Sequence, residues 1–508
     1  MNAYQQFNEY IGQINDLCCI ANLLLWDERT QMPKKGGLNR GPQLSTATRM
    51  AQERFIAPQM ERLIEKAEAE LSGEDPDSYK VRNVSAARDA FEIVKKIPLN
   101  VMAEQAELVP QAQEKWAEAR ESSDFSRFKP YLQKMVALKQ QLAEAIGYSE
   151  HPYDALLHRY EPGMTAARLQ QLFGELRRGV LPLLEEIKRR EVPRHDFLYR
   201  HYDSDKQRAF ASQVVRDFGY DFNRGRVDVA LHPFEISFTR EDVRITTRYN
   251  QNYLPMALFG LFHESGHGMY EQGAAPEISR TALTTDLLAM YAVAGVSFGM
   301  HEAQSRLWEN LVGRSREFWQ HYYPLLQQTF PEALADVSEE EFYLSINRVS
   351  PSFIRVEADE VTYNFHIMLR VEAEMGMLDG SIRVEELPDF WNAKMESYLG
   401  ITPENDADGV LQDIHWAAGD YGSFPCYTIG NMIGAQLYSS AEQQIPSLPE
   451  KIQTADFAPL RQWLQQHIYQ HGRAYSPDEL LTSVTGKPLS TDEYIAYINQ
   501  KYKKLFSI

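Results

Sequence analysis

Apolar residues recur at three- and four-residue steps along most of this 508-residue chain, the periodicity of helices that bury one face. Leu132, Met135, Leu138, Leu142 and Ala145 form one such stripe, and Gly147 supplies its stop. A second stripe runs through Leu169, Leu172, Phe173, Leu176, Val180 and Ile187. Thr165 is placed to cap its N-terminus, while Gly179 and Pro182 predict a kink or a break. One segment departs from this pattern. From Glu235 to Tyr249 the run EISFTREDVRITTRY alternates partially, is rich in β-branched and aromatic residues, and carries a turn-like Arg240-Glu241-Asp242, which predicts a β-hairpin. Ser72 to Asp77 and Thr402 to Asp408 read as polar loops, and no fixed-period repeat or Pro/Gly/Ser linker divides the chain. The expectation is a mainly α fold, one large helical body over residues 1–508. Residues 1–200 would form an N-terminal helical half and residues 201–508 the half that carries the chemistry.

Charge narrows the partners. Fifty-two Lys and Arg against 71 Asp and Glu leave a net charge of −19, which repels phosphate backbones and anionic lipid surfaces. Nucleic acid and membranes are therefore not expected as partners. Cys18, Cys19 and Cys426 offer no disulfide framework and no CxxC metal pair. Met1 to Asp16 lacks the basic and apolar regions of a secretory signal, and the longest apolar stretch, Leu17 to Trp26, is about half a membrane span. A cytoplasmic protein is expected.

The chemistry concentrates at His263-Glu264-Ser265-Gly266-His267, an HExxH motif that follows the apolar run Leu254 to Phe262. Residues four apart stack one helical turn above another, so both imidazoles reach one ion while Glu264 faces water on it. Zinc lowers the pKa of such water to ~7, and a neighbouring carboxylate accepts the proton as a carbonyl is attacked. HExxH ligation also accepts cobalt or another divalent cation. A third ligand must come from elsewhere, since no histidine lies six residues beyond His267. Downstream candidates are Glu271, Glu277, Asp286 and Glu302. Glu271, one turn along the same helix, suits a supporting or solvated role. Spacing leaves both Asp286 and Glu302 open, and Glu302 is favoured as the product of a second helix crossing the first. His301 points away from Glu302 on that helix and is read as structural.

Further segments carry a resemblance. They are His232-Pro233-Phe234, Asp242-Val243-Arg244-Ile245-Thr246, the HExxH helix with Tyr270-Glu271-Gln272-Gly273, His301-Glu302-Ala303-Gln304, Ile354-Arg355-Val356-Glu357-Ala358-Asp359 and Gly409 to Trp416. In this order, and with Leu25-Trp26-Asp27, Tyr153 to Leu157 and Tyr160 to Met164 outside that half, the chain resembles the carboxypeptidase Taq family of thermostable metallocarboxypeptidases. The resemblance implies a mostly helical fold with a long substrate groove between two halves, a homodimer, and Glu302 as third ligand. Ala303 stands where the family usually has serine, and the interval from His267 to Glu302 is longer than in relatives, with the extra residues expected between Pro276 and Tyr291.

A carboxypeptidase must recognise a free C-terminal carboxylate, which the planar fork of arginine suits. Arg355 is assigned that role, with a salt bridge to Glu357 or Asp359 as the plainer alternative, and Arg244 is the second candidate. The developing oxyanion needs a donor. Tyr427, after the glycine-rich turn Gly419 to Gly422, is favoured, with His232 and His415 as alternatives or as satisfied core histidines. Asp413 and Trp416 are expected to shape the cleft, and an open hairpin edge would let a substrate backbone add as a strand. The reading is removal of C-terminal residues from peptides with broad specificity. The alternatives are an oligoendopeptidase of similar helical fold and a non-catalytic peptide-binding protein.

Overall fold

A computed structural model describes all 508 residues, the side chain of Leu99 excepted. The chain is 66% helix and 4% strand, as the periodicity predicts. It divides into two compact units that do not follow the expected split near residue 200. Unit 1 gathers Met1–Val94, Arg194–Ile346 and Ile433–Leu489, and unit 2 gathers Lys95–Pro193, Asn347–Met432 and Ser490–Ile508. Periodicity reports which face of a helix is buried but not which partner buries it, so the interleaving is not legible from sequence.

In unit 1 the first helix, Ala3–Thr30, starts from a capping box between Asn2 and Gln5. Its stripe Phe7, Ile11, Ile14 and Cys18 is essentially inaccessible to solvent and packs in one cluster with Phe55, Ile64, Phe91 and Leu287. Cys18 is thus part of the core, and all three cysteines are free thiols. The expected hairpin is present as β2 (Glu235–Thr239) and β3 (Asp242–Thr247), irregular in register between Ser237 and Thr239. Sequence did not reveal β1 (Gly225–Val229), which pairs parallel to β3 and makes it the central strand. Nor is the β2 edge free: Asn22 Nδ2 donates to the Ser237 carbonyl at 2.8 Å and Cys19 Sγ to that of Phe238 at 2.8 Å. A short antiparallel pair, β4 (Thr285–Asp286) and β5 (Tyr291–Ala292), lies between the HExxH segment and Glu302.

Unit 2 contains the two helices read from the stripes. Phe125–Ile146 is capped by Asp124 and stopped at Gly147, whose φ of 90° suits glycine. Ala166–Ile187 is capped by Thr165, which accepts from the Arg168 N–H, and it runs on through Gly179 and Pro182 without interruption. Gly179 is explained by packing, because a Cβ there would fall 2.6 Å from Ile495 Cδ1 on the last helix, Asp492–Phe506. That last helix is fastened by Lys501, whose ammonium lies 2.8 Å from the buried Glu360 carboxylate.

Candidate metal centre

The HExxH segment lies in a helix spanning Leu254–Gln272, opened by Pro255 in its first turn and buried along nearly its whole length. Glycine at position 266 decides what crosses it. A Cβ there would sit 2.4 Å from the Gln304 carbonyl oxygen and 2.7 Å from Ser305 Cα, so its absence lets the helix Phe298–Arg306 lie backbone to backbone against the motif. That contact brings Glu302 to the two histidines. His263 Nε2 and His267 Nε2 lie 3.6 and 3.5 Å from the same oxygen, Glu302 Oε2, and the three ligand atoms fall within 4.8 Å of one another. Ligands about 2.0–2.1 Å from a tetrahedral ion stand roughly 3.3 Å apart, so the donor set fits one divalent cation. Among the described residues no other group of three such donors is found. Asp286, the competing candidate, instead caps the turn after β4 by accepting from the Leu288 and Ala289 N–H groups.

Each of these atoms is held from behind. The second Glu302 oxygen accepts from Arg306 Nε at 2.7 Å, and His263 Nδ1 lies 2.9 Å from Glu309 Oε2. Glu309 itself takes Arg306 at 3.3 Å and Arg314 at 3.3 Å. Glu309 sits in a π-helical turn, Leu307–Val312, that continues the Glu302 helix. Burial works against the Glu302 charge, but Arg306 and the two histidines outweigh it and hold this carboxyl well below the ordinary range. Glu264 behaves oppositely. Burial pushes its carboxyl up to about 7 against the pull of His263, with Glu302 and Glu309 adding to the rise. His267 is pushed down to about 3 by burial and then by His301, so it rests as a neutral imidazole, the form that ligates. Ala303 is fully buried beside Glu302.

A second constellation forms in unit 2. Arg355, in a short 3₁₀ turn at Arg355–Glu357, is buried, and its Nε and Nη2 both donate to Asp413 Oδ1 at 3.1 and 2.8 Å while Nη1 donates to the Tyr363 hydroxyl. Its ion-pair partner is therefore Asp413 and not Glu357 or Asp359. Asp359 is occupied with the N–H groups of Ser350, Val361 and Thr362. Arg370, from the buried helix Tyr363–Asp379, donates to the other Asp413 oxygen at 2.6 Å. Tyr427 lies in the first turn of the helix Pro425–Gln444, with its hydroxyl 3.4 Å from His415 Nε2 and its ring 5.1 Å beneath the Arg355 guanidinium. Trp416 is buried and donates to Glu374.

Two predicted residues join neither group. Arg244 is engaged by Asp242 through Nε and Nη2 and lies over the rings of Trp26 and Phe238. His232 is exposed on the loop between β1 and β2, not a core histidine.

The sequence matches the family described as Carboxypeptidase Taq (M32) metallopeptidase over residues 6–502. The chain belongs to that family. It is accordingly a metal-dependent carboxypeptidase, a hydrolase of peptide bonds. It is 39% identical to thermostable carboxypeptidase 1 of Thermus thermophilus, over 99% of each chain. It is 36% identical to carboxypeptidase 1 of Bacillus subtilis, over 99% of this chain and 98% of that one. The crystal structure of the M32 carboxypeptidase from Deinococcus radiodurans superposes with a TM-score of 0.95 at 40% identity over the full length of both. Among the described residues no helix of this metallocarboxypeptidase is long and apolar enough to cross a membrane.

Proposed function

We propose that His263, His267 and Glu302 hold one catalytic zinc ion and that Glu264 is the general base of peptide hydrolysis. The observation that carries this is the convergence of two Nε2 atoms on one Glu302 oxygen, at 3.6 and 3.5 Å. When bound, the ion supplies Lewis acidity, activating water at neutral pH and polarising the scissile carbonyl. Glu264, one residue from a ligand and poised near neutrality, takes the proton of the attacking water and passes it to the leaving amine. Tyr427, with His415 as its neighbour at 3.4 Å, is the proposed donor to the developing oxyanion.

Recognition of the free terminal carboxylate is assigned to the Arg355 cluster, in modified form. Arg355 offers no empty fork, because Asp413 and Tyr363 occupy its nitrogens. What favours an anion is two guanidiniums, Arg355 and Arg370, held against the single carboxylate of Asp413, an excess of one positive charge in a water-poor setting. Broad specificity follows, since a terminal carboxylate is common to every peptide. The free thiols Cys18, Cys19 and Cys426 suit a reducing cytoplasm. A homodimer is proposed from the family likeness, and sedimentation checks it.

The test uses one peptide with a free C-terminus and the same peptide amidated. Enzyme stripped by a chelator should cleave neither, and zinc should restore cleavage of the free form alone. Equal rates on both peptides would remove the carboxypeptidase role for unit 2, and full activity without metal would remove the role of the triad.

A further inference from the structure

The two ligand imidazoles are supported in different ways, and the difference singles out His301. His263 Nδ1 meets a carboxylate directly, at Glu309. His267 Nδ1 meets instead a third imidazole, His301 Nδ1, at 2.5 Å, and His301 Nε2 lies 3.0 Å from Glu271 Oε1. Glu271 is buried and held by the backbone N–H groups of Ala294 and Gly295 and by the Ser237 hydroxyl. The His301 ring has a fitted berth. It lies 5.3 Å from the Tyr270 ring, centroid to centroid, and a Cβ at Gly295 would fall 2.3 Å from its Cδ2. Tyr270 in turn accepts from the Val296 N–H at 3.2 Å.

Two ring nitrogens 2.5 Å apart cannot both present protons or both present lone pairs, so one donates and the other accepts. Glu271 accepts from His301 Nε2–H. In a neutral imidazole that leaves Nδ1 without a proton, and Nδ1 of His301 must accept from Nδ1–H of His267. The Nε2 lone pair of His267 is then directed toward Glu302.

We infer that His301, set by Glu271, is a positioning residue that fixes the tautomer of His267 and so readies the third corner of the metal site, in place of the usual direct carboxylate. The inference rests on the reading of the triad as a metal site. Because Glu271 also grips the backbone at Ala294 and Gly295, just ahead of the helix bearing Glu302, one carboxylate sets both the tautomer of one ligand and the start of the helix that delivers another.

The experiment compares zinc affinity, by chelator competition, in the wild type, His301→Phe and His301→Gln, together with ¹⁵N imidazole spectra of the metal-free proteins. Phenylalanine fills the berth without hydrogen bonds, whereas glutamine can accept from His267 and donate to Glu271. His301→Phe should bind zinc about 10- to 100-fold more weakly, His301→Gln should recover most of that loss, and the wild-type spectrum should show His267 protonated at Nδ1. If His301→Phe fails to fold, Gly295→Ala, which displaces the ring without removing its nitrogens, should give the same weakening. Wild-type zinc affinity in His301→Phe, or His267 protonated at Nε2 in the wild type, overturns the inference while leaving the metal site standing. A wild-type protein that takes up no zinc overturns both.

Discussion

The two buried charge clusters are built on opposite balances. In unit 1 the carboxylates Glu264, Glu302 and Glu309 face two guanidiniums, Arg306 and Arg314, so the cluster is one positive charge short when Glu264 is ionised. In unit 2 Arg355 and Arg370 face only Asp413, so that cluster is one negative charge short. A buried charge left uncompensated is costly, and each imbalance is explained if a ligand of the missing sign completes it: a divalent cation in the first and a peptide carboxylate in the second. The first cluster also has directionality, with every ligand atom backed by a second contact, whereas the second offers field more than geometry. Chemistry needs placed atoms, and recognition of a common terminal group needs mainly charge.

This contrast can be broken at several points. The largest effect is expected from Glu264→Gln, which keeps the metal ligands and removes the base. It should lower kcat by about 10²–10⁴-fold with zinc uptake unchanged, and a variant of near-normal turnover would end the base assignment. Asp413→Asn should expose the imbalance in unit 2, leaving two buried guanidiniums to face each other. A loss of ~3–5 kcal/mol in urea unfolding is expected, with metal content intact. A loss below about 1 kcal/mol, the range of an exposed pair, would show that the cluster is better solvated than its burial implies.

Glu309→Gln should weaken zinc binding by about 10–100-fold while leaving turnover of the saturated enzyme largely intact. The smallest effect concerns pH. Burial holds Glu264 up to about 7 rather than its ordinary 4.5, and only the ionised form accepts a proton, so kcat/KM should fall as pH drops through its acid limb. A bound cation favours the carboxylate, which places that limb between those two values. A profile flat down to pH 4.5 would contradict it.

Much of the proposed metal site was legible because it is local. His263, Glu264 and His267 share one helix, whose geometry fixes their spacing whatever surrounds it. Glu302 needed a second helix, which spacing could favour but not choose. Two supports were missed because they are contacts between helices: Glu309 reaches back to His263, and His301, which helical geometry aims away from Glu302, is aimed by the crossing onto His267. Arg306 was a local signal that went unused, since it stands one turn beyond Glu302 on the same helix. Arg370 carried a signal that went unused, since a lone cation in the apolar run Asn364 to Val371 must have a buried partner. The stripes at 132–145 and 169–187 gave their helices correctly. Of the kink or break expected at Gly179 and Pro182, the break is absent, since the helix is continuous from Ala166 to Ile187, and the residues that pack against it from the last helix, Ile495 among them, lie more than 300 positions away. Strand β1 was invisible because its pairing with β3 is set by the fold and not by a turn.

The threading of the chain between the two units governs how the protein is made. Each unit is assembled from three separated segments, and the final piece of unit 2 is Ser490–Ile508, fastened through Lys501 to Glu360. A ribosome delivers residues in order, so unit 1 cannot close until residue 489 has emerged and unit 2 cannot close until residue 508 has emerged. Neither unit is a fragment that a truncated gene could encode. The emerging chain therefore carries exposed apolar helix faces until those segments are present, and a short deletion within Ser490–Ile508 would open the packing of unit 2 at Gly179 and Glu360.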